Sequence, residues 1–531
     1  MNCPSCGSRN PENATLCHLC GTTLTAPPAV RSEARSPDQP ASSIFVGRER
    51  EMEELYAGLE DARAGRGRLL LLAGEPGIGK TRLAEEFTVF AQQRGARVLW
   101  GRCWEGDGAP AFWPWVQIVR AYMQQCDADT LHAEMGAGAA VIAQIVAEVR
   151  ERLPHLPVPP EIDPVQARFR FFDSFTTFLK NAGRNQPLVS ILDDLHWADI
   201  PSLLLLQFLA REVRDARLLV IGTYRDVEVG HVHPLSEALG ALARESQCLV
   251  LRDLDEKDLG RFIEGMTGAK PTASLIRAVH EKTEGNPFFV SEMVRLLAAE
   301  GRLPSAEGQA AWSVSISQGV RETIRRRLAQ LSSACLRLLA VAAVIGREFA
   351  LDLLVRVSEE STGSDATPLL GLLDEALAAR MLGEAGGGVA RYRFAHALIR
   401  ETLYEDLSLT DRIRLHQRIG ETLEALRATN LDPHLTELAD HFFKAAPGGT
   451  VDKAITYAVK AGERATALLA YEEAVAHYQR ALQALELKAP DARQRCELLL
   501  DLGDARAKAG DTSQARATFQ QAAAVARQLV T

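Results

Sequence analysis

The chain has 531 residues, a net charge of −9, and apolar and charged fractions of 47% and 24%. At roughly 100–200 residues per domain, this is a multidomain chain of ordinary globular composition. The acid excess argues against a broad nucleic-acid footprint. The longest apolar run, Leu336–Ile345, contains Arg337 and falls short of the roughly 20 residues of a membrane span. The N-terminus lacks a basic stretch followed by an apolar one, so no secretory signal and a cytoplasmic location are expected. Five scattered cysteines (Cys103, Cys126, Cys248, Cys335 and Cys496) are expected to be buried small hydrophobes in a reducing compartment.

Residues 1–23 hold two CxxC pairs, Cys3/Cys6 and Cys17/Cys20, with ten residues between the pairs. Each pair is followed by a glycine, Gly7 and Gly21, which supplies the tight turn. Four thiolates at this spacing close a tetrahedral Zn²⁺ site with no open position, which makes the site structural. So short a segment buries no core, and the metal would supply its folding energy. His18 reads as a solvated side chain. Residues 24–43, with Pro27, Pro28, Pro37 and Pro40, read as an extended linker.

Residues 44–252 read as an α/β core. A helix with Met52, Leu55, Tyr56 and Leu59 on one face precedes the apolar run Leu69–Ala73, which suits a buried parallel strand. That run leads into Gly74-Glu75-Pro76-Gly77-Ile78-Gly79-Lys80-Thr81 and a further helix. Strand, glycine-rich loop and helix together are the context of a P-loop. The three glycines let the backbone wrap a phosphate, and the N–H groups and helix N-terminus face its oxygens. Lys80 would reach the β and γ phosphates of ATP, and the Thr81 hydroxyl would bind Mg²⁺.

A second strand is expected at Arg97–Trp100. Trp104, Phe112, Trp113 and Trp115 then read as core or interdomain aromatics, with base stacking as the alternative. Pro187–Asp194 reads as a strand ending beside the P-loop in two carboxylates. Asp193 would hold Mg²⁺, and Asp194 would orient or deprotonate the attacking water or else cap the following turn. His196 reads as a turn residue more than as a proton carrier. Leu218–Gly222 is a further strand whose tip offers Arg225 as a phosphate sensor and Thr223 as a weaker one. The alternative for Arg225 is a surface ion pair with Asp226. Cys248–Leu251 is a fifth strand, giving a doubly wound parallel sheet.

Residues 253–310 read as a helical lid, with Pro287 opening a helix after Asn286. Residues 311–425 alternate helices with one hairpin about Gly386–Gly388, a winged-helix-like pattern. Within 321–401 there are 11 Arg, no Lys and 10 acidic residues, which favours packing over DNA binding. In residues 426–531, Gly462, Ala474, Tyr478 and Ala481 recur 41 residues later as Gly503, Ala515, Phe519 and Ala522. Small residues at helix crossings with an aromatic between them are the tetratricopeptide pattern, whose usual unit is about 34 residues. A longer connection near Lys488–Arg493 would absorb the excess. The chain stops at Thr531 without a polar capping helix, so the array is expected to be truncated or capped by a partner.

Taken together, Phe45-Val46-Gly47-Arg48-Glu49, the P-loop, ILDDLHWAD at 191–199, GTYRD at 222–226, EGNPFF at 284–289 and RFAHALIRETLY at 393–404 resemble STAND-class AAA-type ATPases. The ATPase modules of large LuxR-type regulators and of cyclase-linked signalling proteins are the nearest likeness. The resemblance implies a slow ATPase switch, closed with ADP and open with ATP, often as a homo-oligomer, with a protein partner on the repeats. It implies that the Pro287 region contacts the nucleotide from the lid and that His396 senses the ADP β-phosphate. It leaves Arg48 and Arg225 as arginine-finger candidates. The pattern of the relatives is not complete, for there is neither a cyclase domain nor a helix-turn-helix after the repeats. Two other functions compete with the switch: a nucleotide-stabilised scaffold without significant hydrolysis, and a DNA-binding regulator.

Overall fold

The computed structural model describes residues 44–105, 108–160, 162–230, 233–299, 320–362, 366–385 and 390–530. The candidate zinc ligands Cys3, Cys6, Cys17 and Cys20, the linker before residue 44 and Gly386–Gly388 lie outside the described residues. Residues 46–531 form one unit, which carries all the elements named below.

Five parallel strands form the first sheet: β1 (Arg68–Ala73), β2 (Arg97–Arg102), β3 (Leu188–Asp193), β4 (Leu218–Tyr224) and β5 (Ser246–Val250). Their order is β2-β3-β4-β1-β5. Leu69 to Leu72 is apolar throughout because helices cover both faces of β1. β5 is an edge strand with half-exposed positions, so Cys248 is exposed, contrary to expectation, whereas Cys103 and Cys335 are buried. The strand carrying the two carboxylates does not lie beside the P-loop strand, because β4 is inserted between them. Of the aromatics after β2, two are core groups and one reaches a distant segment of the chain. Phe112 and Trp115 are fully buried, the Trp115 indole donates to Ser202 O, and Trp104 packs near Gly346.

Helices Glu256–Thr267, Ala273–Thr283 and Pro287–Ala299 form a small bundle around Leu259, Ile263, Leu275, Val279, Val290 and Val294. Beyond it stands a second sheet, antiparallel, of β6 (Glu348–Ala350), β7 (Leu382–Glu384) and β8 (Arg391–Phe394), in the order β6-β8-β7. The β7–β8 pair is the expected hairpin, and β6 is an addition that three residues of sequence do not announce. Helices Ser333–Ile345 and Ala397–Glu405 pack beside this sheet.

From Leu409 onward the described chain is helical, and each long helix packs on the next. The 41-residue recurrence corresponds to one packing device used twice. A Cβ on Gly462 would lie 2.8 Å from the Tyr478 ring, and one on Gly503 would lie 2.5 Å from the Phe519 ring. Glycine at each position therefore sets how closely two helices approach. One hydrophobic core runs continuously from Ile324 to Leu498, and another joins the first sheet's helices to Ala465, Leu468, Tyr478 and Leu502. The helical array thus rests directly on the α/β core.

Candidate active site

β1 delivers the chain into the loop Gly74–Gly79, and the helix Lys80–Gln93 begins at its end. Gly74, Gly77 and Gly79 have φ of 149°, 83° and 102°. At Gly77 the requirement is double, since a Cβ there would also lie 2.7 Å from Phe288 Cβ. Lys80 Nζ donates to Gly74 O and Glu75 O, at 2.7 and 2.8 Å, across the hollow of the loop. Burial pushes its ammonium down to about 8, against the opposing pull of Asp194.

The two acidic side chains at the end of β3 have separate settings. Asp193 Oδ1 accepts from Thr81 Oγ1 at 3.0 Å and from Thr223 Oγ1 at 2.7 Å. Burial and the neighbouring Asp194 both raise its pKa. A buried carboxylate with a hydroxyl from the phosphate-loop helix beside it is a donor set that suits a hard divalent cation. Thr223 is wholly buried and also accepts from Asp194 N at 2.9 Å, so it positions both carboxylates and is not a phosphate sensor.

Asp194 has a left-handed backbone, φ 60° and ψ 48°, which turns its side chain off the strand line. It stands at the N-cap of the following turn, where its carbonyl accepts from Trp197 N, but its side chain makes no cap bond there; instead Arg347 Nη1 donates to its Oδ2 at 2.5 Å. Burial favours the protonated acid, but Arg347, His196 and Arg225 outweigh it and hold Asp194 near 2. His196 lies in the short turn Leu195–Trp197, with Nε2 at 4.0 Å from Asp194 and 3.5 Å from Glu228. Burial drives it down to about 3, so the ring is neutral and carries no proton charge near pH 7.

Arg225 follows β4 and is buried. Its partners are Glu228, at 2.5 Å, and Glu401, at 3.8 Å, and not the Asp226 that its sequence neighbourhood suggests. Arg48 is no free finger. It is buried and donates to Arg252 O at 2.7 Å and to Ile78 O at 2.9 Å, which ties the phosphate loop to the strand exit after β5. From the segment that opens the third helix of the small bundle, Asn286 Nδ2 donates to Pro76 O at 3.1 Å and Phe288 N donates to Gly77 O at 3.3 Å, so Pro287 lies between two residues bound to the loop. His396 stacks on Phe288 with ring centroids 3.7 Å apart. Its Nδ1 accepts from Leu398 N, which leaves the proton of the neutral ring on Nε2. Burial, followed by Arg225 and Arg347, lowers His396 to about 3.

Four participants escape a reading of the sequence alone: Arg347, Glu401, Arg102 and Asn286. Arg102 ends β2 in register with Asp193, and their charged groups are 3.9 Å apart. For Arg347 the one local signal is a charged residue close after the buried helix end Val344-Ile345.

The parallel sheet, the phosphate loop and the paired carboxylates define an α/β P-loop NTPase core followed by a largely helical region. Residues 44–221 match the family profile of the AAA ATPase domain. The chain is similar to an uncharacterised protein of Rhizobium meliloti (strain 1021), 24% identical over 479 residues, covering 86% of this chain and 44% of that protein. It is also similar to hybrid signal transduction histidine kinase G of Dictyostelium discoideum, 30% identical over 154 residues, covering 27% of this chain and 4% of the kinase. It thus spans less than half the length of the curated relatives it matches. Among solved structures it is similar to a Signal Transduction ATPase with Numerous Domains (STAND) protein with a tetratricopeptide repeat sensor from Pyrococcus horikoshii. That similarity has a TM-score of 0.44 and 15% identity, covering 93% of this chain and 79% of that one. Cdc6p from Pyrobaculum aerophilum is similar with a TM-score of 0.32 and 13% identity, covering 69% and 98%. Among the described residues no helix is long and apolar enough to cross a membrane.

Proposed function

We propose that the chain is an ATP-binding signal-transduction switch, in which ADP favours the closed arrangement of lid on phosphate loop and ATP a more open one. The observation that carries this reading is the stack on Gly77. Phe288 of the lid packs on the phosphate loop, and His396 packs on Phe288. A change at the phosphates would therefore reach residues 320–426 through Phe288 alone.

Bound Mg²⁺–ATP would supply the transferable phosphoryl group and the cation's charge. The chain's own residues divide the remaining work. Lys80 and the N–H groups of Gly74–Thr81 bind phosphate. Thr81 and Asp193 hold the cation. Asp194 orients the attacking water and takes its proton. Arg225 and His396, on opposite elements, read the terminal phosphates, and Pro287 faces the nucleotide from the lid. Hydrolysis is slow, since the switch needs a long-lived state and not throughput. The helices after Leu409 receive a protein partner, the ATP state associates with further copies, and the protein works in the cytoplasm. The near-neutral balance of residues 321–401 supports packing there over DNA binding.

Chromatography of nucleotide released from denatured, freshly purified protein tests this reading. ADP at close to one per chain, with slow turnover, is expected; a nucleotide-free chain that binds neither ADP nor ATP would sink it. The N-terminal cysteines are a separate element, proposed on spacing to hold one structural Zn²⁺. Native mass spectrometry is expected to find one zinc per chain and none in a Cys17→Ser variant. Equal metal content in the two proteins would remove the assignment.

A further inference from the structure

Three successive strands of the first sheet end in charged residues of alternating sign: Arg102 on β2, Asp194 after β3 and Arg225 after β4. Besides partners near at hand (Glu228 for Arg225, Asp193 and Glu85 for Arg102), each faces an opposite charge from residues 347–401. Arg102 Nη1 lies 3.8 Å from Glu348 Oε1, Asp194 Oδ2 lies 2.5 Å from Arg347 Nη1, and Arg225 Nη1 lies 3.8 Å from Glu401 Oε1. A fourth cross-link, Arg400 Nη1 to Glu105 Oε1 at 2.7 Å, anchors the helix of Glu401 to the loop after β2. The side-chain pattern on the sheet is plus, minus, plus. That on the facing elements is minus, plus, minus.

We propose that this matched row of ion pairs is an autoinhibitory clamp, with Arg347 as the group that takes Asp194 out of service. The inference rests on the proposed function, in that Asp194 is read there as the group that activates water. A guanidinium on Oδ2 takes one of the carboxylate's acceptor positions and lowers its basicity toward water, and the other oxygen lies 4.0 Å from His196 Nε2. Arg347 is also well placed to be released. Its side chain is 28% exposed, and it directly precedes β6, where its carbonyl accepts from Phe394 N at 2.9 Å. The backbone therefore keeps the arginine in register with the clamp, while the side chain reaches the crevice from its rim. Arg225 cannot serve Glu401 and a terminal phosphate at full strength together, so an anion at the crevice loosens the outer pair and weakens the row.

The test uses the full chain and two readouts, steady-state ATP hydrolysis and hydrogen exchange of the segments 193–197 and 346–351. Arg347→Ala is expected to raise hydrolysis by about tenfold, within the usual span of coupling between sites, and to speed exchange in both segments. Arg347→Lys keeps the charge without the fork and is expected to fall between wild type and Arg347→Ala. It decides the matter if the alanine variant folds poorly. Hydrolysis that falls while exchange is unchanged would make Arg347 a positioning residue and overturn the clamp, as would no change in either readout. If neither wild type nor variants hydrolyse ATP, the reading of Asp194 fails, and faster exchange in Arg347→Ala would still establish the restraint.

Discussion

Asp194→Asn is expected to lower the single-turnover rate of ATP hydrolysis by roughly 10²–10⁴, the usual worth of a positioned general base, and to leave ATP affinity within about threefold, as loss of a group used in the chemical step should. The carboxylate is ionised, stands on a left-handed residue and makes no side-chain cap hydrogen bond to the turn after it, so the carboxyl group is not consumed by local secondary structure. The substitution also removes the partner of Arg347, and that complication sharpens the test. Asp194→Asn and Arg347→Ala break the same ion pair. If the pair were only structural, both variants would shift hydrolysis in the same direction. A base held by a clamp predicts opposite directions, a fall for Asp194→Asn and a rise for Arg347→Ala. Rapid-quench measurement of the first turnover for both proteins separates the cases, and a rate for Asp194→Asn within about threefold of wild type would end the base assignment.

The contrast between these two residues also shows what the sequence could and could not reveal. Gly74–Thr81 was legible because a phosphate cradle is built from contiguous backbone, so spacing alone encodes its geometry. Asp193 and Asp194 were legible because an apolar run ending in carboxylates marks a strand tip at the sheet's carboxyl edge. The insertion of β4 between β1 and β3 was not, since strand order depends on long-range packing and leaves no local trace. The place of Arg225 at a strand tip was legible, but its partners were not, because Glu401 is brought in from a distant helix and Glu228 by the turn after β4, while Asp226 merely adjoins it. Arg48 misled for a similar reason. The resemblance left it as a finger candidate, yet it is buried and held by two backbone carbonyls. Arg347 stands 153 residues from Asp194 in sequence, and only the tertiary fold makes them neighbours. The paired recurrences at Gly462/Tyr478 and Gly503/Phe519 were readable for the opposite reason, since each contact lies within one helical hairpin.

Lys80→Ala is expected to weaken ATP and ADP binding by roughly 100-fold or more, since charge-assisted hydrogen bonds contribute about 1.5–3 kcal/mol each. The pH dependence of wild-type affinity provides an independent check on the same group. Burial lowers the Lys80 ammonium to about 8 in the free protein, from an ordinary value of 10.5. Phosphate oxygens favour its charged form, so its pKa in the complex lies above that of the free protein. Between those two values binding takes up a proton. Affinity is therefore fully present below about pH 8, declines as pH rises through the free-protein value, and levels off above the value in the complex. The steepest slope is about tenfold per pH unit for a single proton. Isothermal titration of ADP between about pH 7 and 10, in buffers of differing ionisation enthalpy, would reveal the uptake directly. The Lys80→Ala protein lacks the group, and over the same range its weak binding should show no such decline. A decline of equal steepness in both proteins would locate the titration elsewhere and would count against Lys80 as the main phosphate contact.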